Sequence, residues 1–173
     1  MQVKPTILMK TIAYFSKPII ILTVLFVTSC NQQGQFTLLD GRSRSLDDYH
    51  GQWVVVNFWA EWCSPCREEI PALNQLAREG KATGISVIGV SFDPLDNEKL
   101  RNIVKSWEFE YDVMATDPVP ILPFKLPAQL PTNYLLDPQG RIVQKLVGKQ
   151  DKSSLEAAID KAKAALAQDP GAN

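Results

Sequence analysis

One histidine, His50, and three cysteines, Cys30, Cys63 and Cys66, are all that this chain offers as soft metal ligands. A structural zinc site ordinarily takes four such ligands, and there is no second cysteine pair to supply them. Covalent haem attachment needs histidine directly after the second cysteine of the pair, where Arg67 stands instead. The Pro-x-x-x-Thr/Ser-x-x-Cys arrangement of thiol peroxidases is also missing. Neither a metal nor a cofactor is therefore expected. Acidic residues are absent before Asp40, whereas Lys4, Lys10 and Lys17 fall in that stretch. Without residues 1–29 the chain keeps 15 basic against 19 acidic residues, a net charge of −4. That balance argues against nucleic acid as a partner, because phosphate binding needs clustered Lys and Arg. No internal repeat is present.

The acid-free beginning has the order of an export signal: lysines, then the apolar stretch 19–27 interrupted only by Thr23, then small residues. The stretch falls short of the roughly 20 residues that cross a bilayer. Val27-Thr28-Ser29-Cys30 resembles the lipobox of bacterial lipoproteins, which implies cleavage before Cys30 and its lipidation. An ordinary cleaved signal or an uncleaved anchor are the other readings, and all three export the domain. The expected organisation is a signal peptide at 1–29, a lipidated tether at 30–35, one domain at 36–168 and a tail at 169–173. The location is then the cell envelope, with the domain on the periplasmic or extracytoplasmic side.

Within the domain, the apolar residues 36–39 before Asp40-Gly41 predict an opening β-hairpin. Residues 54–59 and 85–90 are nearly continuous apolar runs, as strands buried on both faces require. Between them Ile70, Leu73, Leu76 and Ala77 recur at helical spacing, which gives a parallel βαβ unit. A second helix is expected over 97–107 and a short strand over 111–115. Asp137-Pro138-Gln139-Gly140 joins strands 132–136 and 141–147 in a hairpin. Ser153 and Glu156 are spaced as a capping box for a final helix carrying Leu155, Ala158, Ile159, Ala162 and Leu166. Residues 118–131 hold five of the twelve prolines and predict a loop.

Trp62-Cys63-Ser64-Pro65-Cys66 lies where the first buried strand gives way to a helix. Unsatisfied N–H groups and the positive end of the helix dipole favour a thiolate at that point, so Cys63 is the expected nucleophile. Cys66, three residues further and on the same face, can reach back to expel a partner bound to Cys63. Pro65 fits the first turn, where its missing N–H had no partner.

The run from Asn57-Phe58-Trp59 through Cys63-Ser64-Pro65-Cys66 to Glu68-Glu69-Ile70-Pro71, followed by Leu130-Pro131-Thr132 and the hairpin at 134–140, resembles the thioredoxin superfamily. It is most similar to membrane-tethered reductases of the TlpA/ResA type. The resemblance implies an α/β, thioredoxin-like fold: a central mixed β-sheet flanked by helices, with an N-terminal β-hairpin. It also implies a cis-proline loop facing the thiols, with Pro131 in that place and Pro127 as the competitor, so that the backbone of Leu130 can pair with a substrate segment. Glu69 matches the active-site glutamate of the family, while Asn57 stands where many thioredoxins have a buried aspartate. Asn57, Ser64 and Pro65 are expected to support the site, and Trp62 to offer substrate an apolar contact. The expected activity is thiol-disulfide exchange on exported disulfide-containing proteins, including apocytochrome c, with a membrane dithiol donor restoring the thiols. The same motif could run as an oxidase or isomerase, or the fold could bind peptides without chemistry.

Overall fold

The computed structural model describes residues 34–123 and 125–168. The proposed signal peptide, Cys30 and the tail at 169–173 lie outside them. Strands β1 (Gln35–Thr37) and β2 (Ser43–Ser45) form an antiparallel hairpin, followed by a 3-10 turn, Leu46–Tyr49. The remaining elements are β3 (Trp53–Trp59), α1 (Ser64–Thr83), β4 (Ile85–Ser91), α2 (Asn97–Ser106), β5 (Asp112–Val113), β6 (Thr132–Leu136), β7 (Ile142–Val147) and α3 (Lys152–Gln168). They build a mixed sheet in the order β5-β4-β3-β6-β7. Its central strand, β3, runs parallel to β4 and antiparallel to β6.

The continuous apolar run of β3 is explained by burial on both faces. Val54, Val56 and Phe58 point into a layer with Phe36, Leu38, Ile88 and Met114, so the hairpin closes one side of the sheet. Val55 points the other way, toward Leu73 and Leu76 of α1 and Leu155 and Ile159 of α3. Trp59, on that same side of the strand, packs with Leu100 and Ile103 of α2 and with both cysteines of the 63–66 pair. Each face of a strand takes alternate residues, so this single strand fixes the register of both layers. It also places Asn57 on the face that carries α1.

Helix α1 is stopped by Gly84, whose left-handed φ of 70° is costly for any residue with a Cβ. One turn earlier, Gly80 lets the helix lie directly on the carbonyl of Ile85; a Cβ there would sit well inside contact with that backbone oxygen. Gly80→Ala is therefore expected to destabilise the protein by about 2 kcal/mol, the scale of overpacking against an unyielding neighbour. Urea unfolding tests this, and a stability equal to wild type would contradict the close approach.

The last helix corrects one reading. Its start is capped by Asp151, not by Ser153 with Glu156: the Asp151 carboxylate accepts the Ser154 N–H at 2.8 Å, and the Ser154 hydroxyl accepts the Asp151 N–H at 3.0 Å. Ser153 instead donates its hydroxyl to Asp151, and Glu156 pairs with Lys152 within the helix. A carboxylate at the cap gains from the helix dipole as well as from the N–H, which favours Asp151 over a serine two residues on.

Candidate active site

Chain geometry at the β3–α1 junction determines which sulfur a visitor meets. Cys63 has extended backbone angles (φ −94°, ψ 94°) and is the N-cap of α1, with Ser64 and Pro65 in the first turn. Its Sγ accepts the Cys66 N–H at 3.3 Å, and its carbonyl accepts from Cys66 and Arg67 at 3.1 and 3.3 Å. One first-turn amide, that of Cys66, is thus aimed at the sulfur at the positive end of the helix, an arrangement that stabilises negative charge there. The two cysteines are joined in a disulfide, the oxidised form of the couple, with Cα atoms 5.3 Å apart. Both cysteines are buried, Cys63 at 5% exposure and Cys66 at 1%, so the first is the more open of the two.

The surroundings of the pair are largely apolar. Trp62, just before it, is 66% exposed and meets the ring of Phe92 edge-on. Leu130 packs against the cluster that contains both cysteines. The Leu130–Pro131 bond is cis and the bond before Pro127 is not; Asp117–Pro118 is also cis, a feature the sequence reading did not single out. Arg67 lies with its guanidinium over the Trp107 ring, 5.7 Å from the centroid, and Ser64 reaches only toward Glu68.

Glu69 follows Cys66 by three residues on α1 and is completely buried, whereas its neighbour Glu68 is exposed and paired with Lys149 at 2.8 Å. Three donors converge on its carboxylate: the Asn133 amide at 2.7 Å, the Gln150 N–H at 3.1 Å and the Asn57 amide at 3.4 Å. Burial disfavours the charge, the three donors partly restore it, and the balance holds the pKa at about 7, up from 4.5. Asn57 also donates to Asn133 at 2.9 Å and accepts the Tyr111 hydroxyl at 3.2 Å. Burial, followed by the nearby Glu69 charge, pushes the Tyr111 phenol well above its ordinary range.

Sequence reasoning named Asn57 and Glu69 but missed Asn133, Tyr111 and the backbone of Gln150. Asn133 left one trace, an amide near the start of a strand that is buried throughout. The β3–β6 register then sets it directly opposite Asn57. The turn 148–150 binds the site together: Gly148 N–H donates to the Pro131 carbonyl at 2.9 Å, Lys149 pairs with Glu68, and Gln150 N–H reaches Glu69.

The chain matches the AhpC/TSA family over residues 31–158. It is similar to the thiol-disulfide oxidoreductase ResA of Bacillus cereus, at 33% identity over 72% of each chain. The thioredoxin-like protein YneN of Bacillus subtilis is 36% identical over 75% of this chain and 79% of its own. Among solved structures, a Chlorobium tepidum protein assigned as a thiol:disulfide interchange protein DsbE superposes with a TM-score of 0.65 at 28% identity, covering 74% of this chain and 91% of the other. With Cys63 capping a helix that carries Cys66 and a buried acid on a thioredoxin-like sheet, the chain belongs to the AhpC/TSA family and is a thiol-disulfide oxidoreductase of the ResA/DsbE type.

Proposed function

We propose that the protein is a lipid-anchored envelope reductase that cleaves disulfides in exported proteins. Cys63 thiolate attacks one sulfur of the substrate disulfide, forming the Cys63–substrate bond, while the other substrate sulfur leaves as a thiolate and takes a proton. Cys66 then gives its proton to the Glu69 carboxylate and attacks Cys63 Sγ. The Cys63–Cys66 bond forms and the mixed disulfide breaks, so the substrate leaves with two electrons and the protein is left oxidised. A membrane dithiol donor returns two electrons through the same exchange in reverse.

The single observation that carries the exchange step is the placement of Glu69: a buried carboxyl with a pKa of about 7, one helical turn beyond the thiol that has to lose a proton. Leu130 and Pro131 present the backbone against which an extended substrate can lie, and the exposed ring of Trp62 offers it an apolar contact. Apocytochrome c, whose paired cysteines must be reduced before haem is attached, is the first substrate to test.

Cys66→Ser should lengthen the life of the mixed disulfide, because the attack that resolves it is removed. Capture from intact cells, followed by identification of the protein bound to Cys63, gives the substrate class; recovery of oxidants in place of substrates would overturn the reductive direction. Equilibration with thiol buffers checks the same point, since a strongly oxidising potential would mark an oxidase.

A further inference from the structure

The redox chemistry makes no use of the apolar side chains at 119–126, in the loop between β5 and β6. Residues 118–131 contain one charged side chain, Lys125, and no acid. Val119, Ile121 and Leu126 are 66%, 65% and 62% exposed, which for large apolar groups places them with Trp62 as the most open among the described residues. With Val90, Phe92 and Leu122 they line a cavity of about 310 Å³. Phe92 in turn touches Trp62, so the apolar surface continues to the residue before Cys63.

The chain enters the domain beside this surface. Gly34 donates its N–H to the Ile121 carbonyl at 3.1 Å, and its own carbonyl accepts from Leu46 at 3.1 Å. The first described residue is therefore fastened to the loop itself. Asn31, Gln32 and Gln33 are all that separate it from Cys30, a tether of about 14 Å at full extension. If Cys30 carries lipid, the loop cannot be held far from the bilayer.

We propose that Val119, Ile121 and Leu126 rest in the interface of the membrane that anchors Cys30, with lipid as the occupant of this face. Exposed apolar side chains beside one long cationic one suit that boundary: the aliphatic groups enter the acyl region, and the Lys125 ammonium reaches the headgroup phosphates. An acyl anchor and an inserted loop together fix orientation in a way that a flexible anchor alone does not. Cys63 is thereby held near the membrane plane, within reach of a dithiol carrier in the bilayer. This inference rests on the lipid-anchor part of the proposed function.

The test uses the full-length chain with Cys63→Ser and Cys66→Ser, in vesicles of phosphatidylethanolamine and phosphatidylglycerol with or without brominated acyl chains. A polarity-sensitive fluorophore is attached in turn to Val119→Cys, Ile121→Cys, Leu126→Cys and, at the far end of α1, Lys81→Cys. Mass spectrometry of the same samples reads the lipid on Cys30. The expected result is lipid on Cys30, with blue-shifted emission, quenching by brominated chains and loss of iodide quenching at the three loop positions but not at 81. Lipid on Cys30 with loop probes as open to iodide as the one at 81 would overturn the surface alone. Loop probes shielded only when a disulfide-containing peptide is added would overturn it in favour of a substrate groove. Absence of lipid on Cys30 would remove the anchor and this surface with it.

Discussion

Replacing Cys63 with serine is expected to abolish disulfide exchange while leaving the fold in place. A hydroxyl at the N-cap still accepts the amides of the first turn, but at neutral pH it is neither ionised nor able to form a bond that a thiol can displace. The loss should be on the order of 10³-fold or more, the scale on which removal of a covalent nucleophile acts. The structural cost should be small. The disulfide spans a separation of only three residues, so its removal forfeits at most about 2 kcal/mol of chain entropy. Insulin-type reduction assays and urea unfolding on the same preparation separate the two effects. Activity within tenfold of wild type would remove Cys63 from the chemistry.

The second large effect is expected from Glu69→Gln, in stability and in turnover. The folded carboxyl titrates at about 7 and the unfolded one at 4.5, so the native state binds the extra proton between those values. Stability tied to this group is complete below pH 4.5 and falls as pH rises to about 7, by about 3 kcal/mol if the whole shift is expressed. Glutamine has no proton to lose, so the variant should show a flatter stability profile over that window. Turnover should move the other way. Only the ionised carboxyl can take the Cys66 proton, so release of substrate from the mixed disulfide should quicken as pH rises toward 7. In Glu69→Gln that step should slow by about 10²-fold, the usual loss when a positioned base is removed. Urea midpoints across pH and single-turnover release provide the measurements. Stability profiles that run parallel in wild type and variant would show that Glu69 is already ionised when buried.

Much of this site was legible because the sequence places its central parts side by side. A strand, a cysteine pair, a proline and a helix occupy consecutive residues, and their roles follow from helix-end electrostatics and helical spacing. The fold was legible for a related reason: the continuous run in β3 demands two covering layers, and the helical periods on either side of β4 supply one of them. The polar cage around Glu69 was not legible in the same way. Asn133 and Gln150 lie 64 and 81 residues from the carboxyl they bind, and no local period shows which side chains meet across β3 and β6. The cis form at Pro131 was reached only through resemblance, since an X-Pro dipeptide carries little information about its own isomer. The cap of α3 failed at shorter range: two acceptable N-caps stand two residues apart, and the carboxylate won over the hydroxyl.

The turn 148–150 gives these parts a common dependence. One of its residues fixes the carbonyl of Pro131, the next holds the exposed glutamate on α1, and the third supplies an amide to the buried one. Lengthening or shortening that turn by a residue would disturb the backbone at the cis-proline and the proton affinity of the acid at once. Neither property can therefore be adjusted through this segment alone: a change that shifts the Pro131 backbone also shifts the amide that Glu69 accepts.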